Sequence, residues 1–230
     1  MKFYFIRHGQ TTCNSTGVHQ GWGPIRLSEL GREQAINARE KVKNIEFDKY
    51  YCSDLMRTQQ TAELIFPEIF HSGKFILNED IREIDTGAYF GINPKELQKI
   101  YGEEYDRRRI KMDLGIYGME SSEHLKARVR HFKETLEAEA NEAAVESALE
   151  REIKKSESQK MLGNLHKSAK YEIVTHGGVI RTFALLVLGL PEKMVDSLPA
   201  GALNLNISNC SVSIFDFKPG KGWSIDAIGI

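Results

Sequence analysis

Short apolar runs that alternate with helical segments are the feature that most constrains how this chain can fold. The runs are rich in aromatic and β-branched side chains, and such runs are typical of buried strands. The predicted strands cover residues 2–6, 49–52, 74–77, 171–175 and 211–217, and the predicted helices cover 33–42, 55–66, 94–101 and 179–190. Strands that alternate with helices in this way favour a layered α/β fold with a largely parallel sheet.

One charged segment, residues 133–168, interrupts this alternation within what is otherwise predicted to be a single domain covering residues 1–230. Apolar residues at spacings of three and four predict a long helix or a helix pair there: Leu125, Val129, Phe132, Leu136, Ala140 and Ala143. The simplest interpretation is a solvated helical excursion. Because the apolar stripe is narrow and rich in alanine, we expect the segment to stay outside the core of the sheet. It could then lean over a pocket or form the contact of a homodimer.

The charge balance and the apolar content exclude several classes of protein. The chain has 31 Lys and Arg residues against 32 Asp and Glu residues, so it lacks the bulk positive field of most nucleic-acid binders. No apolar stretch approaches the roughly 20 residues of a membrane span, and the first one is shorter than the roughly 7–15 residues of a signal-peptide core. Three cysteines without a CxxC spacing argue against a disulfide framework or a structural zinc site. We therefore expect a cytoplasmic protein that binds neither nucleic acid nor membranes.

Basic side chains follow three of the predicted strands, at the points where each strand ends. Arg7 and His8 end the first strand, Arg57 lies in the first turn of the helix after the second, and His176 follows a later strand. Because the carboxyl ends of parallel strands meet at one edge of the sheet, beside helix N-termini, these groups are expected to converge. Taken singly, each junction is as well explained by a surface ion pair or a capped loop. The three together favour an anion site, and a phosphoryl group offers three oxygens to such a cluster.

Other phosphate chemistries fit the sequence less well. Cys52 and Arg57 are separated by four residues, not by the five of cysteine-dependent phosphatases. The chain has no GxxxxGK[ST] loop, and Gly21-Trp22-Gly23 lacks the third glycine of a dinucleotide-binding loop. No carboxylate or histidine pair has the spacing of metal ligands, so neither a catalytic metal nor a cofactor is expected. An imidazole nucleophile remains.

A set of short motifs runs through the chain in a fixed order. They are Arg7-His8-Gly9-Gln10-Thr11 with Asn14 three residues later, Gly21-Trp22, residues 27–31 and 34–35, residues 53–62, residues 82–87, Glu120-Ser121 and residues 175–181. Together they resemble the signature of the histidine phosphatase superfamily, the phosphoglycerate mutase-like proteins, and the charged segment is the main departure from it. The resemblance implies a three-layer α/β/α fold around a mostly parallel central sheet.

The resemblance also implies a role for each matching residue. His8 would attack the phosphorus atom and carry the phosphoryl group, while Glu83 would act as the general acid and later as the base. The phosphoryl oxygens would be bound by Arg7, Asn14, Arg57 and His176. Candidates for the wall of the substrate pocket are Thr11, Gly21, Trp22 and Gly177.

The main hypothesis is therefore a metal-independent phosphatase that hydrolyses a small phosphate ester and uses no cofactor. A phosphoglycerate mutase, which returns the phosphoryl group to a second hydroxyl, is the nearest alternative. Mutases of this family follow the catalytic glutamate with Arg-His-Tyr, whereas this chain has Ile84-Asp85-Thr86. A catalytically inactive scaffold that uses the long helix for protein contacts is the third hypothesis. It is disfavoured because both His8 and Glu83 are present.

Overall fold

The computed structural model describes residues 1–110, 114–157, 168–190 and 205–230. The strands are β1 (Lys2–Arg7), β2 (Lys49–Ser53), β3 (Phe75–Asn78), β4 (Lys170–Thr175), β5 (Val212–Lys218) and β6 (Gly222–Ala227). The helices are α1 (Thr12–Thr16), α2 (Glu29–Val42), α3 (Met56–Ile65), α4 (Pro67–His71), α5 (Pro94–Tyr101), α6 (Glu103–Ile110), α7 (Ser122–Glu157) and α8 (Gly177–Leu188). Short 3₁₀ turns cover Glu79–Ile81, Gly87–Tyr89 and Gly115–Tyr117.

The strands form one sheet in the order β3-β2-β4-β1-β5-β6. The first four of these strands pair in parallel, whereas β5 is antiparallel to both β1 and β6, so the predicted mostly parallel sheet is confirmed. β6 is not among the predicted strands. It folds back along β5 through a turn in which Gly220 and Gly222 have positive φ angles of 74° and 84°, a conformation that glycine adopts at little cost.

β4 lies between β1 and β2, although it follows both of them late in the chain. Lys2 pairs in register with Lys170, and Lys49 pairs with Tyr171. The three strands run in the same direction, so their carboxyl ends meet at one edge of the sheet. The loops that follow β1, β2 and β4 therefore start side by side.

Helices cover both faces of the sheet, which confirms the three-layer α/β/α architecture. α7 and α8 pack on one face, where the rings of Phe5, Phe183 and Phe215 lie with their centroids 4.6 to 5.1 Å apart. α2 and α3 pack on the other face, through Val42 and Ile65 among others. Burial of apolar surface on both faces stabilises the fold by about 25 cal/mol for each Å² removed from water.

The first half of α7 belongs to this core, and the prediction that the charged segment stays outside it is wrong for residues 133–140. Leu136 and Ala140 are buried, and Glu139 accepts a hydrogen bond from the Tyr51 hydroxyl at 2.6 Å. The narrow stripe is sufficient because the sheet supplies large aromatic rings to pack against it. The Tyr51 and Phe132 rings, for example, lie edge to face at 5.3 Å.

The second half of α7 has a different environment. From residue 141 to residue 150 its side chains are exposed or half-buried, and Ala143, the last member of the predicted stripe, is half-buried. Val145 and Leu149 are 68% and 61% exposed. Residues 158–167, which also belong to the segment predicted as an insertion, lie outside the described residues.

A small apolar cluster forms apart from the sheet, around α5 and α6. Its buried members are Leu97, Tyr105, Leu114 and Met119. His19, in the loop after α1, lies with its Nε2 atom 2.5 Å from the Tyr105 hydroxyl, and its amide donates to the Ile92 carbonyl at 3.0 Å. These contacts fix the loop of residues 17–23 against the cluster.

The cysteines contribute to buried packing. Cys13, Cys52 and Cys210 are all buried as free thiols.

Among the described residues, no helix has both the length and the apolar content that a membrane crossing requires.

Candidate active site

A pocket of about 180 Å³ lies at the carboxyl edge of the sheet, beside the ends of β1 and β2. Six residues predicted from the sequence line it: Arg7, His8, Asn14, Gly21, Arg57 and Glu83. The other described residues of the lining are Val18, His19, Gln20, Ile84 and Thr86. The ring of His176 lies next to that of His8, with the two centroids 5.2 Å apart. Within the described ranges, no group of three or more His, Cys, Asp or Glu side chains is arranged to hold a metal ion.

The His8 imidazole is held in one tautomer. Its Nδ1 atom lies 2.7 Å from the Gly9 carbonyl oxygen, which can only accept, so Nδ1 carries the proton and donates it to this bond. The lone pair of the neutral ring is then on Nε2. Burial, and next the charges of Arg57 and Arg7, hold the pKa of His8 well below its usual value of 6.5. The ring is therefore neutral at physiological pH and has a nucleophilic nitrogen.

Three buried nitrogen atoms of the site have no hydrogen-bond partner among the described residues: Arg7 Nε, Arg57 Nε and His176 Nδ1. Other atoms hold the two arginines in place, because Arg7 Nη1 donates to the Ile207 carbonyl and Arg57 Nη2 donates to the Gly21 carbonyl at 2.9 Å. Burial lowers the pKa of Arg57 to about 10, which still leaves it charged at neutral pH. A buried donor without a partner costs roughly 1–3 kcal/mol. The two arginine donors, together with a histidine nitrogen that donates when Ser53 donates to Nε2, therefore indicate a site for an anion.

The segment after β1 brings Asn14, in α1, and Gly21, in the loop that follows, to the pocket. Gly21 has a φ of 46°, and a Cβ atom there would lie 2.3 Å from Thr86 Oγ1, so a larger residue would displace the carbonyl that holds Arg57. Thr11 is buried as the N-cap of α1. Its Oγ1 accepts from the Asn14 amide, and Asn14 Oδ1 accepts from the Thr11 amide, both at 3.1 Å. Because the Asn14 oxygen is used in this way, its Nδ2 hydrogens remain for a ligand.

Backbone amides hold the carboxylate of Glu83. Oε1 accepts from the Ile84 amide at 3.0 Å, and Oε2 accepts from the Gly178 amide, in the first turn of α8, at 3.2 Å. A Cβ atom at position 178 would lie 2.1 Å from Glu83 Oε1, so glycine is what permits this close approach. Gly178 is not among the site residues predicted from the sequence. Its only signal is the second glycine after His176.

Ser53 is a second contributor that the sequence prediction misses. Its Oγ atom lies 3.0 Å from His176 Nε2, and both side chains are buried. The contact arises because Ser53 ends β2 while His176 directly follows β4, the neighbouring strand. Burial, and next the charge of Arg57, hold the pKa of His176 well below its usual value, so this ring too is neutral.

Trp22 and Gly177 lie beside the pocket and not in the described lining. The indole Nε1 of Trp22 donates to the Glu83 carbonyl at 2.7 Å, and the Arg82 guanidinium lies over the indole ring, 4.7 Å from its centroid. Gly177 begins α8 against Arg7, where a Cβ atom would lie 3.4 Å from Nε. Both residues therefore contact groups of the site.

The sequence matches a family of known proteins along nearly its whole length. A family model described as the histidine phosphatase superfamily (branch 1) matches residues 3–149 and 154–230. The phosphoglycerate mutase-like protein 4 of Arabidopsis thaliana is 29% identical over 230 residues, which cover 97% of this chain and 83% of that protein. A probable phosphoglycerate mutase of Erwinia tasmaniensis is 24% identical over 237 residues, which cover 100% of this chain and 93% of that protein.

Solved structures share the fold. A putative alpha-ribazole-5'-P phosphatase from Escherichia coli superimposes with a TM-score of 0.71 at 20% identity, covering 99% of this chain and 96% of the other. A mycobacterial glucosyl-3-phosphoglycerate phosphatase in complex with VO3 superimposes with a TM-score of 0.72 at 23% identity, covering 99% and 98%. At these identities the likeness is one of fold.

Proposed function

Because this chain belongs to the histidine phosphatase superfamily, we propose that it is a metal-independent phosphomonoesterase acting on a small phosphorylated metabolite. The phosphoryl group would pass through His8 as a phosphohistidine. One observation carries the proposal. A neutral His8 ring with its lone pair on Nε2 lies beside three buried donors that lack partners among the described residues. That combination suits a nucleophile next to a phosphoryl group.

In the first step, Nε2 of His8 attacks the phosphorus atom in line with the bond to the leaving oxygen. The N–P bond forms as the P–O bond breaks, and protonated Glu83 gives its proton to the departing alkoxide. The bond from Nδ1 to the Gly9 carbonyl stabilises the positive charge that develops on the ring. An alkoxide is a poor leaving group, so the acid should contribute roughly 10²–10⁴-fold to the rate.

The non-bridging oxygens would lie next to the three nitrogens that have no partner among the described residues. Nε of Arg7, Nε of Arg57 and Nδ1 of His176 would donate to them, and the two guanidinium charges would offset the charge of the transition state. A Ser53 hydroxyl that donates to His176 Nε2 keeps the proton of this neutral ring on Nδ1. Asn14 Nδ2 adds a neutral donor.

In the second step, water attacks the phosphohistidine. The Glu83 carboxylate takes a proton from the water as the new O–P bond forms and the N–P bond breaks. Inorganic phosphate leaves, His8 returns to its neutral form, and Glu83 is again protonated for the next cycle. The same two residues thus complete both half-reactions.

Replacement of the nucleophile tests the proposal directly. His8→Ala should lower turnover of p-nitrophenyl phosphate by at least about 10³-fold, because no other group would form the covalent intermediate. The matched control is His71→Ala, since His71 is 66% exposed and should leave turnover unchanged. All assays contain EDTA, because the proposal requires no metal. A folded His8→Ala protein with near-normal turnover, or wild-type activity that depends on an added divalent ion, would contradict it.

The role of Glu83 gives a second, independent test. Glu83→Gln should lower turnover of an alkyl phosphate far more than turnover of p-nitrophenyl phosphate, whose leaving group is a stable anion that needs no proton. The ratio of kcat/KM for the two esters is the measurement. Equal losses on both esters would assign Glu83 to binding or structure instead of acid catalysis.

A mutase is the second candidate, and the names of the two relatives in sequence favour it. It would use the same phosphohistidine but return the phosphoryl group to a hydroxyl. Turnover of a phosphoglycerate with analysis of the products separates the two functions, since hydrolysis releases inorganic phosphate and a mutase yields the isomer. The phosphate esters that are assayed should include the substrates named for two structural neighbours, alpha-ribazole-5'-P and glucosyl-3-phosphoglycerate.

A further inference from the structure

A buried arginine that is not part of the pocket lining holds the backbone that carries Glu83. Arg128, in α7, is 9% exposed, and Glu120, just before that helix, is equally buried. We infer that these two residues are positioning residues, which set the aim of the Glu83 carboxyl group by fixing the chain on both sides of it. The inference rests on the proposed role of Glu83 as the acid.

All five N–H groups of Arg128 are used. Nε and Nη2 donate to the two carboxylate oxygens of Glu120 at 2.7 and 2.8 Å. The other three N–H groups donate to backbone carbonyls. The two hydrogens of Nη1 bind the carbonyls of Asp80, at 2.7 Å, and Arg82, and the second hydrogen of Nη2 binds that of Glu83 at 3.1 Å. Because no hydrogen of the guanidinium is left for a ligand, Arg128 acts on the backbone and not on substrate.

Glu120 fixes the chain on the other side of Glu83. Its Oε2 atom accepts from the Asp85 amide at 3.0 Å, and its own amide donates to the Asp85 carbonyl at 2.9 Å. Burial alone would raise the pKa of Glu120, but the hydrogen bonds and the charge of Arg128 lower it below its usual value. The carboxylate therefore remains an acceptor. The pair therefore contacts the backbone before, at and after the acid.

The segment depends on such contacts because residues 83–86 have no regular secondary structure. A buried ion pair is not by itself a gain in stability, since the cost of removing both charges from water offsets their attraction. The planar guanidinium instead fixes geometry, because its N–H groups point in set directions, here towards three carbonyl oxygens and one carboxylate. A shift of the backbone would move the carboxyl group of Glu83, and a displacement of about 1 Å at a reacting group can cost about 10²-fold in rate.

The test replaces Arg128 with Lys, which keeps the charge but loses the fork. Arg128→Lys should lower kcat/KM for an alkyl phosphate about 10- to 100-fold more than for p-nitrophenyl phosphate, because only the first ester needs the proton. The matched control is His131→Gln, on the same helix. His131 is 73% exposed and meets the Asp80 side chain, not a backbone carbonyl, through Nδ1 at 2.6 Å, so the ratio should not change.

A double variant separates positioning from general damage. If Arg128 acts through the Glu83 carboxyl group, Arg128→Lys combined with Glu83→Gln has the same ratio between the two esters as Glu83→Gln alone. Equal losses on both esters in a cooperatively melting Arg128→Lys protein would overturn the inference and leave the proposed function standing. If Glu83→Gln shows no preference between the esters, the proposed acid fails, and the inference fails with it. Should Arg128→Lys not fold, Glu120→Gln provides the same comparison.

Discussion

At the scale of single residues, the site depends on which histidines are neutral. His8 and His176 are fully buried near two arginines, and burial with those charges lowers both pKa values. His131 lies exposed on α7, where the hydrogen bond and the charge of Asp80 raise its pKa. The same residue type therefore has a lowered pKa where it is buried beside arginines and a raised pKa where it is exposed beside a carboxylate.

These two environments predict an order of titration. As the pH falls from about 8 to about 5, His131 should gain its proton first. His8 should stay neutral until the pH is well below 6.5, the usual pKa of a histidine. The measurement is an NMR titration of the imidazole Hε1 signals, assigned by His8→Gln and His131→Gln. A His8 signal that titrates at or above 6.5 would show that burial and the arginine charges do not lower the pKa of the ring.

Sequence motifs predict which residues the pocket gathers, but not which atoms hold them. Arg7, His8 and Arg57 each follow the end of a predicted strand, and the strand order brings those ends together. Ser53 contacts a histidine 123 positions away, and Gly178 contacts a carboxylate 95 positions away. Such pairs depend on the packing of strands and helices that are distant in the chain, so no local pattern encodes them.

At the scale of elements, the start of α8 joins two parts of the site. Gly177 contacts Arg7 and Gly178 contacts Glu83, through adjacent residues of one helical turn. Neither glycine has a positive φ angle, so alanine fits the backbone at both positions and even favours the helix. The two positions therefore differ only in what a Cβ atom would meet.

The difference predicts losses of unequal size for two otherwise similar substitutions. Gly178→Ala places a Cβ atom 2.1 Å from Glu83 Oε1, so the carboxyl group must move, and turnover of an alkyl phosphate should fall about 10- to 100-fold. Gly177→Ala places its Cβ atom 3.4 Å from Arg7 Nε, an ordinary contact, and should cost much less. Both proteins should keep the wild-type melting temperature. Similar losses in the two variants would contradict this account of Gly178.

The strand pattern predicts β1 to β5 to within one residue at each end, because each of them carries a short stretch rich in apolar and aromatic residues. It misses β6, in which Ser224 and Asp226 interrupt the apolar residues. The error at α7 has another origin. Its charged composition suggests a solvated helix, but the burial of Leu136 depends on the aromatic rings that β2 and β4 present, which the sequence of the helix alone does not show.

At the scale of the whole molecule, a carboxylic acid is buried inside the sheet. Glu172, in β4, pairs in register with Tyr4 of β1 and Tyr50 of β2, and neither of its oxygens has a hydrogen-bond partner among the described residues. Burial raises the pKa of Glu172 well above its usual 4.5. The group is therefore protonated in the folded protein at pH values where the unfolded chain ionises it.

This difference makes stability fall with rising pH, and Glu172→Gln should remove the effect. Below the ordinary pKa of 4.5 the carboxyl is protonated in both states, so wild type and variant should be similar. Above it, the unfolded chain releases a proton that the folded chain retains, and wild type loses up to about 1.4 kcal/mol per pH unit relative to the variant until the pKa of the folded state is reached. Urea unfolding between about pH 4 and pH 7 measures the difference.

The control for this prediction is Glu146→Gln, at an exposed position on α7, which should show no dependence of the difference on pH. Parallel stability curves for wild type and Glu172→Gln would mean that the buried carboxyl ionises at its ordinary pKa. The comparison of the two variants keeps the general effect of losing one acidic residue apart from the effect of burial.

The position of β1 between β4 and β5 has a consequence for the newborn chain. Lys2 pairs with Lys170 on one side and with Asp216 on the other, so both neighbours leave the ribosome long after β1 does. At about 5–20 residues per second, translation leaves this strand without partners for roughly 10–40 s. Phe3 and Phe5 are fully buried in the finished sheet, and the rings that they contact all come from residue 171 onwards, so these contacts are missing throughout that interval. The growing polypeptide, more than the completed enzyme, is thus the form that needs chaperone protection from aggregation.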